Sequence, residues 1–201
     1  MLAQVLDAVL GTTTKVRILR ALLPLTSVVS GTEARRLAQV RSVNAMWSAL
    51  DDFTSLGILL REQTPGSHLY RINRDHHLAA PLAALFQAEA RRVGEVRDVV
   101  RSTLTDAGQL ESVTAAVLYG SNARGEAGPE SDLDVLVITC DGDGVPPVQE
   151  ALLDAAEVLR QKFGISLSAY VLPLERVQER FRDGDPLMHT IADEGRELIG
   201  G

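Results

Sequence analysis

The chain has 201 residues, 45% hydrophobic and 23% charged, with a formal net charge of −7, which fits one large or two small globular domains and excludes disordered and fibrous classes. No stretch approaches the roughly 18 consecutive apolar residues of a membrane span. The N-terminal run lacks a basic region and carries Asp7, so neither secretion nor membrane insertion is expected. The single cysteine, Cys140, excludes an intramolecular disulfide and a thiolate metal cluster, and fits the cytoplasm.

The charge is unevenly spread. Residues 1–105 hold 13 Lys and Arg against 9 Asp and Glu, a surplus of +4, whereas residues 106–201 hold 7 against 18, a deficit of −11. A mildly basic half can approach phosphates; an acidic half repels them unless its acids hold cations that bridge to phosphate.

In chain order, Val16, Ile18, Leu19, Leu22 and Leu23 recur at helical spacing until Pro24, predicting a helix over Thr12–Leu23. Ser30-Gly-Thr-Glu33 has the form of a capping box and predicts a short helix to Ala38 or Gln39. Ser42 offers another N-cap, and Val43, Met46, Trp47, Leu50, Phe53 and Leu56 line one face of a third helix closed by Gly57. Two strand-like runs, Ile58–Gln63 and His68–Ile72, flank Thr64-Pro-Gly-Ser67 and predict a hairpin.

Three helices followed by a hairpin, over about Thr12 to Asn73, resemble a prokaryotic winged helix-turn-helix domain of the MarR or ArsR kind. The resemblance implies double-stranded DNA as partner, with Arg41, Ser42, Asn44, Ala45 and Ser48 facing the major groove and Arg61, His68 and Arg71 on the wing holding phosphates. Asn can read adenine with two hydrogen bonds, and Ala can touch a thymine methyl. The alternative is a protein-contact module, since Asp51 and Asp52 late in the third helix weaken the basic footprint.

Leu82, Leu85, Phe86, Ala90, Val93, Val96, Val100 and Leu104 continue at three- and four-residue steps from Pro81, predicting one helix of about 22 to 25 residues. Its apolar stripe is expected to be buried either against a twin, in a homodimer, or against the chain's own domains. The adjacent His76 and His77 lack the spacing that shares a helical face and predict no metal site. The expected domains are therefore 1–75, a winged helix; 76–105, a connecting helix; and 106–201.

In the last of these, Val113–Tyr119 and Leu133–Thr139 read as strands. Asp132 and Asp134 are two residues apart on an extended segment, so both carboxylates face one side and can share hard cations. Gly120 and Ser121, at a tight turn entering a helix, can offer amides and a hydroxyl to phosphate oxygens. A helix over about Pro147–Phe163, a strand over Ile165–Leu172, and two short helices in Leu174–Ile199 broken near Asp183-Gly-Asp-Pro186 complete the half. Cys140, at a strand end, reads as a small buried hydrophobe.

The run Gly120-Ser-Asn-Ala-Arg-Gly125, followed by Ser131-Asp-Leu-Asp134, resembles the signature of the DNA polymerase β-like nucleotidyltransferase superfamily in its minimal form. The resemblance implies a mixed sheet with helices on one side, Mg²⁺ held by Asp132 and Asp134, a nucleoside triphosphate on Gly120 and Ser121, and support from Arg124 and Ser131. It also implies a third carboxylate on a later strand, and the matching position is Ser168, which supplies neither charge nor base.

The fold expected for the whole is α+β, a winged helix joined by a long helix to a mixed-sheet domain. Its leading function is a DNA-binding regulator carrying a Mg²⁺-nucleotide site. The alternatives are an active nucleotidyltransferase acting on a protein or small molecule, in the manner of an antitoxin, and a scaffold using neither site.

Overall fold

A computed structural model describes residues 5–124 and 131–200, which group into two compact units, 1–91 and 92–201. Among the described residues no helix is long and apolar enough to cross a membrane.

In the first unit, α1 (Val5–Leu10) precedes α2 (Thr13–Leu22), whose N-cap Thr12 accepts the Lys15 amide at 3.2 Å. The two-residue β1 (Val29–Ser30) leads into α3 (Gly31–Leu37). Ser30 accepts the Glu33 amide at 3.1 Å, but the Glu33 carboxylate turns to Arg36 at 2.6 Å, so only half of the expected capping box forms. Ser42 caps α4 (Val43–Ser55) by accepting the Ala45 amide at 3.2 Å. β2 (Leu59–Thr64) and β3 (Ser67–Ile72) pair antiparallel about Pro65-Gly66, and β1 adds to β3, giving the order β1-β3-β2.

This unit closes over Ile18, Leu19, Met46, Leu50, Phe53 and Tyr70, with Ala79, Leu82 and Phe86 from the start of α5 (Ala79–Asp106). Two residues expected on the buried face of α4 are exposed: Val43 at 46% and Trp47 at 41%. The apolar run is wider than the face its neighbours cover. α5 runs 28 residues, longer than expected. Of its predicted stripe, Leu85 and Val93 are exposed, while Val96, Val100 and Leu104 enter the core of the second unit.

The second unit is a mixed four-stranded sheet of order β6-β5-β4-β7. β4 (Val113–Tyr119) runs antiparallel to β5 (Leu133–Thr139) and to β7 (Arg196–Gly200), and β5 runs parallel to β6 (Leu167–Pro173). α6 (Gly120–Arg124) follows β4, and α7 (Val145–Phe163) makes the β5-to-β6 crossover, ending on Gly164 in the left-handed region. Strand alternation then sorts the core. Leu118, Val135, Val137 and Val171 face α7 and the end of α5, whereas Val117, Leu136, Tyr170 and Leu172 pack with Val177, Met188 and Ile191 from α8 (Leu174–Arg182) and α9 (Pro186–Glu194).

Helices thus cover both sheet faces, correcting the one-sided expectation, because α8 and α9 fold back over apolar side chains that the first layer leaves open. β7 is also a correction. Its residues 196–199 lie in the tail read as helical, yet Leu198 and Ile199 are buried on a strand paired with β4. Cys140 is exposed rather than buried, since it lies one residue past the end of β5.

Candidate functional site

Strand register brings Tyr119, Asp134 and Ser168 into one row, since Asp134 pairs with Tyr119 on β4 and with Ser168 on β6. Register partners project to the same face. This is the α8–α9 face, with the row lying one register step beyond the Val117, Leu136 and Tyr170 that those helices cover. Asp134 is partly buried; Asp132, one residue before β5 and on the same side by alternation, is exposed.

Gly120 fixes the approach of the turn to this row. Its φ of +70° lies in the region that favours glycine, and a Cβ built there would stand 2.6 Å from Asp134 Oδ2. Backbone conformation therefore favours glycine here, and any side chain would also have to displace the Asp134 carboxylate. Asn122 on α6 donates from Nδ2 to the Asp132 carbonyl at 2.6 Å, tying the start of β5 to the turn. Ser121 is half-buried beside Gly120, and Ser131 is partly exposed just before Asp132. Arg124 donates from Nη1 to Glu194 of α9 at 3.0 Å, which ties the end of α6 to α9. Gly125, the last residue of the turn run, lies outside the described residues.

Burial, then the Asp134 charge and Tyr170, push the Tyr119 phenol above its ordinary range. Tyr119, Asn122 and Glu194 were not singled out in the sequence. Tyr119 and Asn122 lie within or beside the motif and are legible once strand register is known. Glu194 is 70 residues from its partner and carries no local signal.

Two carboxylates on one side of a strand end are a hard-oxygen donor set, and among the described residues no group of three His, Cys, Asp or Glu could hold a metal. Such a pair fits Mg²⁺, which is commonly bound by one or two carboxylates with phosphate oxygens and water supplying the rest. It does not fit a closed protein cage for zinc.

In the first unit, Arg41, Ser42, Asn44 and Ser48 are exposed on or just before the first turns of α4, and Ala45 is partly buried among them. The Ser42 hydroxyl is engaged by the cap. On the hairpin, Arg61 is paired with Asp51 at 3.0 Å and Arg71 with Glu62 at 3.4 Å, while His68 is exposed opposite Gln63. His68 and Trp47 line a common cavity of about 470 Å³, so the hairpin and α4 border one surface.

Residues 100–188, from the last turns of α5 into α9, match the nucleotidyltransferase domain family. Among solved structures the chain is similar to a toxin–antitoxin complex crystallised with AMP-PNP, at 18% identity and a TM-score of 0.35, over 52% of this chain and 73% of that one. It is similar also to a mutant MntA–HpeT toxin–antitoxin, at 17% identity and a TM-score of 0.35, over the same shares. No curated protein matches the chain. The family match alone assigns a nucleotidyltransferase domain to residues 100–188, within the second unit.

Proposed function

We propose that the second unit binds a Mg²⁺-nucleoside triphosphate at the Gly120–Asp134 row and that the first binds double-stranded DNA through α4 and the β2–β3 hairpin, the chain serving as a DNA-binding regulator. The observation that supports the nucleotide site is the close approach of the Gly120 backbone to the Asp134 carboxylate, whose Oδ2 lies 2.6 Å from where a Gly120 Cβ would stand. Asp132 and Asp134 hold the metal, Gly120 and Ser121 orient the phosphates, and Ser131 and Arg124 flank them. Mg²⁺ supplies neutralisation of the phosphate charge when bound. DNA binding is supported by the exposed polar row on α4, with Arg41 the basic group at its start.

Ser168 decides between sensing and transfer. Nucleotidyl transfer forms a bond from an acceptor oxygen to the α-phosphorus, releases pyrophosphate and needs a base for the acceptor proton. The neutral hydroxyl beside Asp134 is no such base, which favours sensing. The family match to residues 100–188 and the intact Asp132–Asp134 pair favour the second reading, an active nucleotidyltransferase.

Calorimetric titration with ATP and Mg²⁺ tests the site: Asp132→Asn with Asp134→Asn is expected to abolish binding, and unchanged affinity would end this reading. Labelled ATP incubated with the protein and a cell extract separates the two activities, because incorporated label selects transfer. In gel shifts Asn44→Ala is expected to cost about 1–3 kcal/mol at one base pair if the amide reads adenine. An unaltered shift removes α4 as the reading helix.

A further inference from the structure

Edge strands present unpaired amides and carbonyls and are normally protected by charge, proline, bulges or shortness. In the small sheet, β1 has only two residues and the edge strand β2 carries Arg61 and Glu62. In the large sheet the edge strand β7 carries exposed Arg196 and Glu197. β6, at the opposite edge, is seven residues long, Leu-Ser-Ala-Tyr-Val-Leu-Pro, with no charge and a proline only at its end. Ser168 and Ala169 are exposed along it.

Beside this edge lies a groove of about 620 Å³ between β6 and α7. Leu153 projects over it from α7 at 71% exposure; Glu150 lines the groove beside it, and Asp154, next to Leu153 in sequence, is exposed outside the lining. Glu157, one turn on, is taken up by Arg160 and Gln161, whereas neither Glu150 nor Asp154 has an ion-pair partner among the described residues. An open backbone edge, an apolar floor and an unneutralised acidic rim occur together.

We propose that the β6 edge and its groove dock an extended segment of a partner protein as a fifth strand, one carrying apolar side chains for the groove and basic side chains for Glu150 and Asp154. Main-chain pairing supplies affinity and the alternate side chains supply selection. A second copy is disfavoured by charge: two-fold pairing of β6 with its twin places both α7 helices on one face, with their Glu150 and Asp154 repelling across the seam. This inference uses neither the nucleotide nor the DNA reading and stands apart from both.

The test is fluorescence polarisation of the full chain with labelled nine-residue peptides. A peptide alternating Val and Lys is expected to bind, and one alternating Val and Glu is not. Of two further Val-Lys peptides, N-methylated on the Val or on the Lys amides, at least one is expected to lose binding, because one edge of the added strand must donate to β6. Hydrogen exchange is expected to slow at residues 167–172 with the Val-Lys peptide. The surface variant Glu150→Lys with Asp154→Lys is expected to weaken that peptide about tenfold and to admit the Val-Glu peptide. No binding at millimolar peptide, equal affinity for the two charge types, or indifference to both N-methylations would overturn the proposal. So would a dimer in which residues 167–172 are protected without peptide, which would assign the edge to a second copy.

Discussion

Gly120 concentrates two constraints in one residue. Replacing it with alanine puts a side chain into the left-handed region, at about 1–2 kcal/mol, and drives the new Cβ against Asp134 Oδ2. The carboxylate has to turn out of the row, so Gly120→Ala is expected to remove Mg²⁺-ATP binding in calorimetry while urea unfolding shows only a modest loss of stability. Tyr119 reports on the same row from its other side. Burial is the larger cause of its raised pKa and the Asp134 charge the next, so Asp134→Asn is expected to lower the phenol pKa without restoring the value of a free tyrosine. Phenolate absorbance against pH measures this. A raised folded pKa means that stability present below the unfolded tyrosine pKa is lost as pH rises towards the folded one, and Asp134→Asn narrows that alkaline loss. Asp132, Asp134 and Gly120 were legible in sequence because the turn and the strand bearing them are short-range features. Trp47, Val43 and Cys140 were not, because periodicity gives the direction of an apolar stripe but not how far its neighbours extend over it.

Between elements, the contact of α3 with α4 turns on Gly31. A Cβ there would lie 2.4 Å from the Trp47 ring, yet Trp47 keeps one side open. Gly31→Ala is expected to cost about 1–3 kcal/mol in urea unfolding, and the same change in a Trp47→Ala background to cost much less, because the ring that must move is gone. Equal costs would mean that the glycine answers to backbone conformation instead. The junction of α8 with α9 rests on charge. Asp185 caps α9 through the Leu187 and Met188 amides and takes the Arg180 guanidinium at 2.6 Å, and Arg180 also reaches the Tyr170 hydroxyl on β6. The Arg180 hydrogen bond, with burial opposing and the two amides assisting, holds the Asp185 carboxyl below its ordinary value. A depressed folded pKa gives stability that is present above the unfolded value and lost as pH falls towards the folded one, so Arg180→Ala is expected to flatten the acid end of the stability profile. The Asp183–Pro186 break between these helices was readable from its turn residues. β7 was not, since its pairing depends on β4 more than 75 residues earlier, and no local pattern encodes that partner.

Across the whole molecule, fewer basic groups of the first 105 residues stand ready for phosphate than the 13 Lys and Arg imply. Arg61 and Arg71 are already paired with Asp51 and Glu62, and Lys15 with Asp52 at 2.7 Å. Phosphates must displace these carboxylates, whereas Arg41 has no such partner among the described residues. The DNA reading therefore predicts that Arg41→Ala weakens binding more than Arg61→Ala, and that the logarithmic salt slope corresponds to only a few phosphates. α5 is the one described element with side chains in both large cores: Leu82 and Phe86 in the first, Val96 and Val100 in the second. Between them sits Gly94, where an added Cβ meets nothing within 4 Å and the backbone is not in the left-handed region. Alanine at this helical position removes backbone freedom from the unfolded chain without a clash. Gly94→Ala is expected to stabilise by about 0.5–1 kcal/mol and to raise the melting temperature. If the helix links DNA and nucleotide sites energetically, the factor by which Mg²⁺-ATP changes DNA affinity must equal the factor by which DNA changes ATP affinity, in wild type and in Gly94→Ala alike. Titrating each ligand in the presence and absence of the other measures both factors. Two factors of one mean that the units work independently, and the regulator reading then loses its means of passing nucleotide state to DNA.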